Sequence, residues 1–364
     1  MNPVRSNGRQ DIIKRIKLTS NGMKKTRIAI NGFGRIGRTF FRLAYGRDDM
    51  EIVGINDLGN LENLAYLLKY DTTYGKAGFD VAVVDGQLLV NGSAIRFVSE
   101  KEPTKLPWKE LDVDIVIEST GVFASYEKAK VHLDAGAKRV VISAPVKDEP
   151  STVPGATVLM GVNEDAVHGT RITSNASCTT NAASPLIAIL HNAFGIEKAL
   201  LNTTHAFTAS QALQDAPSKK DFREGRAASE NIVPSSTGAA IAVTQAYPVL
   251  KGKFDGISVR VPVRVGSIVD ITFLASRDVT VDEVNVAMKK AAETSEWKDL
   301  FAVTTEQLVS SDIVGMTHAS MADLAFTRVV GGNLVKVLAW YDNESSYTHT
   351  LIAHVAMVGR SISI

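Results

Sequence analysis

From Met23 onward, short apolar runs alternate with longer stretches in which apolar side chains recur every three or four positions. Short runs bounded by turn residues read as buried strands, and the longer period reads as amphipathic helix. Arg27–Asn31 and Glu51–Ile55 are predicted strands, each followed by a predicted helix, Arg35–Tyr45 and Leu61–Leu68. Asp114–Glu118 and Arg139–Ile142 are two more strands, with a helical stretch at Tyr126–Asp134 between them. This alternation predicts βαβ units around a parallel sheet. Val81–Val84 and Leu88–Val90 are punctuated by Asp85-Gly86 and Asn91-Gly92, dipeptides that favour two-residue hairpin turns. An antiparallel insertion is expected there.

The pattern changes near residue 175. Longer β-rich stretches follow at Ala199–Phe207, Gly256–Pro262, Ser267–Leu274 and Leu334–Tyr341. Thr280-Val281-Asp282-Glu283 has the form of a capping box, with Val284, Ala287, Met288 and Ala291 at helical spacing behind it. An α+β domain with a mostly antiparallel sheet is expected over 176–344, after a first domain over 23–175. Gln211–Glu230 is charged and poor in apolar residues, so it reads as a long surface loop. Ser346–Gly359 has helical spacing, and a terminal helix over about 345–364 is expected to pack back on the first domain.

Composition narrows the function classes. The 364 residues suit about two domains of roughly 100–200 residues each. With 40 basic and 39 acidic side chains the chain has a net charge of +1, which gives no electrostatic footprint for nucleic acid. Residues 1–22 hold five of the basic side chains against one acid, so they carry +4 and leave a body of −3. That segment is expected to be a disordered leader, or sequence upstream of a start at Met23; an organellar transit peptide is the alternative. No apolar run is long enough to span a membrane. A single Cys in a chain this size fits a reducing, cytoplasmic compartment and leaves the thiol free for chemistry.

Gly32-Phe33-Gly34-Arg35-Ile36-Gly37 follows a strand and opens a helix. Gly32 permits the tight turn, Gly34 lets the backbone approach a pyrophosphate, and Gly37 allows close packing of helix on sheet. Asp57 ends the second strand 20 residues after Gly37, where a carboxylate accepts a ribose 2′-hydroxyl and repels a 2′-phosphate. The first domain therefore reads as a Rossmann-type α/β fold that binds NAD in preference to NADP. Cys178, in Ala176-Ser177-Cys178-Thr179-Thr180-Asn181, stands where a strand gives way to a helix containing Pro185. A lone Cys reads first as a small buried hydrophobe, but polar neighbours suit a core thiol poorly. A helix N-terminus is also expected to lower the thiol's pKa. His205 has two readings, a hydrogen-bonded core residue or the base that a thiol nucleophile requires. The seven His and single Cys show no metal-ligand spacing.

Together these motifs, with His205-Ala206-Phe207-Thr208, Pro234-Ser235-Ser236-Thr237-Gly238-Ala239-Ala240 and Trp340-Tyr341-Asp342-Asn343-Glu344, resemble the phosphorylating glyceraldehyde-3-phosphate dehydrogenases from Thr26 to the C-terminus. The resemblance implies oxidation of glyceraldehyde 3-phosphate by NAD and inorganic phosphate, with Cys178 as nucleophile and His205 as base. It implies that Arg260 and Thr208 hold the substrate phosphate, and that Ser177, Thr179, Thr237 and Gly238 hold the attacking phosphate. Arg35 and Ile36 would lie along the cofactor pyrophosphate, with Asp57 on the adenosine ribose and Lys101 near the adenine. Thr120 and Ser143 would line the cofactor cleft, and Asn343 would bind the nicotinamide carboxamide. Leu58 and Pro217 match the NAD-preferring members, and a homotetramer is implied. Lys101, Arg264 and Ser345-Ser346 depart from the usual pattern. Two other readings use the same scaffold: an erythrose-4-phosphate dehydrogenase that releases its acid by hydrolysis, and a non-catalytic NAD-binding or interaction protein.

Overall fold

The computed structural model describes residues 24–218 and 221–362, and the leader expected over 1–22 lies outside them. The first unit is built from β1 (Thr26–Asn31), α1 (Arg35–Ala44), β2 (Met50–Asn56) and α2 (Leu61–Lys69), with β1 parallel to β2. A small ribbon of β3 (Tyr70–Asp71) and β4 (Gly75–Lys76) follows. The antiparallel insertion is β5 (Val81–Val84), β6 (Gln87–Val90) and β7 (Ser93–Val98), and β7 runs parallel to β2, so the hairpins extend one edge of the main sheet. Both turns have positive φ at their two central residues, 50° and 72° at Asp85-Gly86 and 48° and 77° at Asn91-Gly92. That geometry matches the right-handed twist of the flanking strands.

β8 (Ile115–Glu118), α3 (Tyr126–Asp134), β9 (Arg139–Ile142), β10 (Gly155–Thr157) and β11 (Ile172–Ser174) complete a nine-stranded sheet, ordered β10-β11-β9-β8-β1-β2-β7-β6-β5. The winding reverses across β1, between β8 and β2. In such sheets the ligand crevice lies outside the carboxyl ends of the strands at this reversal. Asn31, Asn56 and Glu118 are the last residues of those three strands.

The second unit opens with α4 (Cys178–Phe194) and β12 (Ile196–Ala206), continues through β13 (Val233–Ser236), α5 (Ala239–Ala246), β14 (Phe254–Val261), β15 (Ser267–Ala275) and α6 (Val281–Glu293), and ends with β16 (Phe301–Thr304), β17 (Ser320–Asp323), β18 (Arg328–Val330), β19 (Leu334–Tyr341) and α7 (Ser345–Ile362). Its sheet is ordered β13-β14-β12-β15-β19-β17-β16, with β18 pairing β19. β12/β14 and β16/β17 pair in parallel and the other pairs are antiparallel. Along β15 burial alternates strictly, so Val269, Ile271 and Phe273 face Leu186, Ile187 and Leu190 of α4. The opposite face keeps apolar side chains in solvent, with Leu200 67% and Ile257 57% exposed. Tyr347, Leu351, Val355 and Val358 of α7 pack in the core of the first unit with Ile28, Ile30 and Phe40. Cys178 touches both cores and so lies on the seam between the units. Among the described residues no helix is long and apolar enough to cross a membrane.

Candidate functional site

The turn that leads into Cys178 is held from several sides. Ala176 has φ +54°, a left-handed conformation that costs a non-glycine residue energy and needs support from its surroundings. Its N–H donates to Ser174 Oγ at 3.0 Å, and its carbonyl accepts from Tyr347 Oη at 3.1 Å. Asn181 Nδ2 donates to the carbonyls of Asn175 and Ser177, at 2.7 and 2.9 Å. Ser177 is the N-cap of α4, accepting the Thr180 N–H at 3.0 Å, so Cys178 is the first helical residue. Pro185 leaves the Asn181 carbonyl without its helical donor, and Ser184 Oγ supplies a long bond to it at 3.4 Å.

Cys178 Sγ lies 3.4 Å from His205 Nε2. His205 is buried near the end of β12, opposite Arg260 of β14. Its Nδ1 is 2.6 Å from the Ala206 carbonyl and 2.6 Å from Arg260 Nη1. These two contacts compete. Nδ1 either donates to Ala206 or accepts from Arg260, and only the first leaves a lone pair on Nε2 facing the sulfur. Burial, then the Arg260 charge, push His205 down to about 4. The expected lowering of the thiol by the helix N-terminus is outweighed: burial pushes Cys178 up, while Arg260 and Thr179 pull the other way. Each group alone therefore favours its neutral form. Moving the proton from Sγ to Nε2 makes two opposite charges together, and their attraction opposes both desolvation costs.

The other residues marked for the substrate side sit on separate segments of the second unit. Thr179 is buried, and its hydroxyl lies 2.9 Å from Tyr341 Oη, which is 2.8 Å from Thr203 Oγ1. Thr203 donates onward to the Ile268 carbonyl at 3.2 Å, so the hydroxyl chain runs from Thr179 through Tyr341 to Thr203. Thr208, just past β12, donates its N–H to Gln211 Oε1, and its hydroxyl meets Ser210 Oγ. Thr237 and Gly238 lead into α5, with Gly238 exposed at the cap. No hydrogen bond joins Thr208, Thr237 or Gly238 to Cys178 or His205 among the described residues.

Apart from Asn343, which follows β19 of the second sheet, the residues marked for the cofactor gather at the strand ends of the first sheet. A Cβ at Gly37 would stand 2.2 Å from the Gly32 carbonyl, and one at Gly32 would stand 2.7 Å from the Ser119–Thr120 backbone. At Gly34 a Cβ would meet nothing within 4 Å, so the backbone there faces open space at the N-terminus of α1. Asp57 accepts the Phe33 N–H at 2.6 Å and the Gly59 N–H at 2.8 Å, which leaves lone pairs for a ribose hydroxyl. Arg35 binds Asp71 and Glu344 through its guanidinium, so what it offers a pyrophosphate is its backbone N–H beside that of Ile36. Thr120 hydrogen-bonds Glu118 through both its N–H and its hydroxyl. Ser143 Oγ lies 2.9 Å from Ser119 Oγ, and Lys101 is exposed. Asn343 Oδ1 accepts from the Gly266 N–H at 3.2 Å and Ser267 Oγ at 3.1 Å. Its Nδ2 is thereby the group left to donate to a carboxamide. These features fit a dinucleotide.

Residues 26–126 match the family described as "Glyceraldehyde 3-phosphate dehydrogenase, NAD binding domain", and residues 177–343 match its C-terminal domain. A glyceraldehyde-3-phosphate dehydrogenase of Geobacillus stearothermophilus is 46% identical over 338 residues, 92% of this chain and 99% of its own. Glyceraldehyde-3-phosphate dehydrogenase 2 of Streptomyces avermitilis is 47% identical over 339 residues, and glyceraldehyde-3-phosphate dehydrogenase B of Aspergillus oryzae 44% over 338, with the same 92% and 99% covered. The chain belongs to the glyceraldehyde-3-phosphate dehydrogenase family. It is an NAD-binding dehydrogenase of that family, and Cys178, His205, Arg260 and Asn343 all fall within the match to the C-terminal domain. Three residues of the site went unmarked in the sequence. Tyr341 and Tyr347 carry the hydroxyls behind the thiol, and Ser267 joins the Ala206 N–H, at 3.1 Å, to Asn343. For Ser267 a signal exists: it is the one polar member of the inward row of β15.

Proposed function

We propose that the protein oxidises D-glyceraldehyde 3-phosphate to 1,3-bisphosphoglycerate with NAD and inorganic phosphate. The observation that carries this reading is the 3.4 Å contact of Cys178 Sγ with His205 Nε2 beside Arg260. Cys178 adds to the aldehyde carbon, giving a thiohemiacetal on the sulfur. His205 Nε2 takes the hydroxyl proton as the carbon is oxidised to a thioester. Bound NAD supplies the hydride acceptor. Inorganic phosphate then attacks the thioester carbon, the C–S bond breaks, and the acyl phosphate leaves with the thiol restored.

Arg260 and Thr208 hold the substrate phosphate, a role suited to a planar guanidinium and a hydroxyl. Ser177, the Thr179 N–H, Thr237 and Gly238 hold the attacking phosphate. Gly32, Gly34, Gly37 and the first-turn N–H groups of Arg35 and Ile36 receive the pyrophosphate. Asp57 takes the adenosine ribose, Lys101 the adenine edge, Thr120 and Ser143 the cleft wall, and Asn343 the carboxamide. The protein works in the cytoplasm as a homotetramer; the exposed apolar side chains Leu200 and Ile257 on one sheet face support self-association.

The test is NADH formation from glyceraldehyde 3-phosphate with and without phosphate. Turnover is expected to require phosphate, and Cys178→Ser is expected to lose on the order of 10³-fold or more in kcat. Full-rate turnover of erythrose 4-phosphate without phosphate would instead identify a hydrolytic enzyme, and NAD binding with no NADH from either aldehyde a non-catalytic one.

A further inference from the structure

Asn56, Asn31 and Glu118 stand in register at the ends of β2, β1 and β8. Their side chains form one buried ladder. Asn56 Nδ2 donates to Asn31 Oδ1 at 2.7 Å, and Asn31 Nδ2 donates to Glu118 Oε2 at 2.6 Å. Glu118 is only 1% exposed, and His132 of α3 is fully buried beside it. The tautomer of His132 follows from its partners. Trp108 Nε1 can only donate, and it lies 3.2 Å from His132 Nδ1, so in the neutral ring Nε2 carries the hydrogen and donates to Glu118 Oε2 at 3.0 Å.

Each end of the ladder grips a loop. Asn56 exchanges two hydrogen bonds with the Glu100 backbone, at 2.9 and 3.0 Å, next to Lys101. Glu118 Oε1 takes the Thr120 N–H at 2.8 Å and the Thr120 hydroxyl. In the middle, Asn31 precedes the Gly32 turn, and Asn56 precedes Asp57. Apolar side chains would hold three strand ends together at least as well as a desolvated carboxylate. What they would not do is fix the heading of the loops that follow.

We propose that Glu118, acting with Asn31 and Asn56, is a positioning residue for the cofactor: the ladder sets the relative placement of the Gly32, Asp57, Lys101 and Thr120 segments and so the affinity for NAD. This rests on the assignment of those segments to the cofactor. Glu118→Gln must put its N–H₂ either where the Asn31 and His132 donors converge or where the Thr120 N–H and hydroxyl converge, leaving at least one donor unmatched. Asn31→Asp in the same chain moves the carboxylate one strand over. Asn31 Nδ2 already lies 3.5 Å from His132 Nε2, so a carboxylate oxygen in its place reaches the imidazole and both neighbouring amides.

The experiment is a titration of the full chain with NAD, followed by protein fluorescence, together with steady-state kinetics. Glu118→Gln is expected to weaken NAD binding on the order of tenfold, with kcat at saturating NAD and KM for the aldehyde within about twofold of the parent. The double variant Asn31→Asp/Glu118→Gln is expected to recover affinity to within about threefold. Wild-type affinity in Glu118→Gln with only a lower Tm, or a folded double variant that stays weak, would overturn the proposal. Should Glu118→Gln not fold, Asn56→Ala reads the far end of the ladder by the same titration, and unchanged affinity there is equally fatal. Asp57→Asn tests the underlying assignment: weak binding there with intact binding in Glu118→Gln rejects the ladder and keeps the site.

Discussion

Arg260 faces two demands at once. Its Nη1 sits 2.6 Å from His205 Nδ1, where its charge disfavours the imidazolium, yet the same guanidinium is the group proposed to receive the substrate phosphate. Removing the charge lets His205 bind a proton more readily, so the neutral base is lost at a higher pH as the solution is acidified. Arg260→Met is therefore expected to move the acid limb of the NADH burst rate towards neutrality. It should also raise KM for the phosphorylated aldehyde by on the order of 10–100-fold. A stopped-flow burst measured across pH 5–9 reads both effects, and an unmoved acid limb rejects the coupling. At this scale the pair proposed to react was legible as a candidate, because Cys178 and His205 sit in motifs with unusual polar dressing. Their state was not. The competition at Nδ1 and the desolvation that raises the thiol both arise from strands brought together by folding, and Ser267 has meaning only once β15 lies between β12 and β19.

Elements were readable where a local signal fixes the backbone. Thr280 and Glu283 make the reciprocal capping box that their spacing announces, and Asp85-Gly86 and Asn91-Gly92 adopt the two positive φ values a tight hairpin needs. β10 and β11, three residues each, are too short to show any period, and their strand character comes from pairing, β11 with β9 and β10 with β11. The glycine turn shows how one motif mixes structural and ligand-directed positions. Gly37→Ala drives a Cβ to 2.2 Å from the Gly32 carbonyl, a backbone atom that cannot yield cheaply, and is expected to destabilise by about 2–3 kcal/mol. Gly34→Ala meets nothing within 4 Å and keeps a negative φ of −70°, so stability should stay within about 1 kcal/mol while NAD affinity falls. Urea unfolding paired with NAD titration separates the two. Unchanged NAD affinity in Gly34→Ala would mean that the open space at Gly34 is not where a ligand passes.

The whole molecule adds what neither unit holds alone. α7 returns from the second unit to the core of the first, and Tyr347, Thr350 and His354 on it reach the turn that carries the thiol. The return of this helix to the first domain is expected from the sequence, but no local pattern announces which of its side chains meet the turn, because the contacts join residues more than 170 positions apart. One consequence is acid lability. Burial lowers three imidazoles, His205 to about 4, His349 to about 4 and His354 to about 3. In the unfolded chain each titrates near 6.5. Between about pH 6.5 and 4 the unfolded state therefore binds protons that the native state refuses, and stability rises with pH across that window. The contribution is fully present above about 6.5 and is lost as pH falls towards 4. Three such protons give a slope of about 4 kcal/mol per pH unit near pH 5, which across the window is comparable to an ordinary folding free energy of about 5–15 kcal/mol. His354 can be taken out of this sum without touching the reacting pair. Its Nδ1 meets Asn175 Oδ1 at 3.1 Å and its Nε2 has no partner, so His354→Asn can keep the one hydrogen bond and discard the titration. The urea midpoint of that variant is expected to fall about one third less steeply between pH 6 and 5. A slope identical to that of the parent would remove His354 from the acid sensitivity.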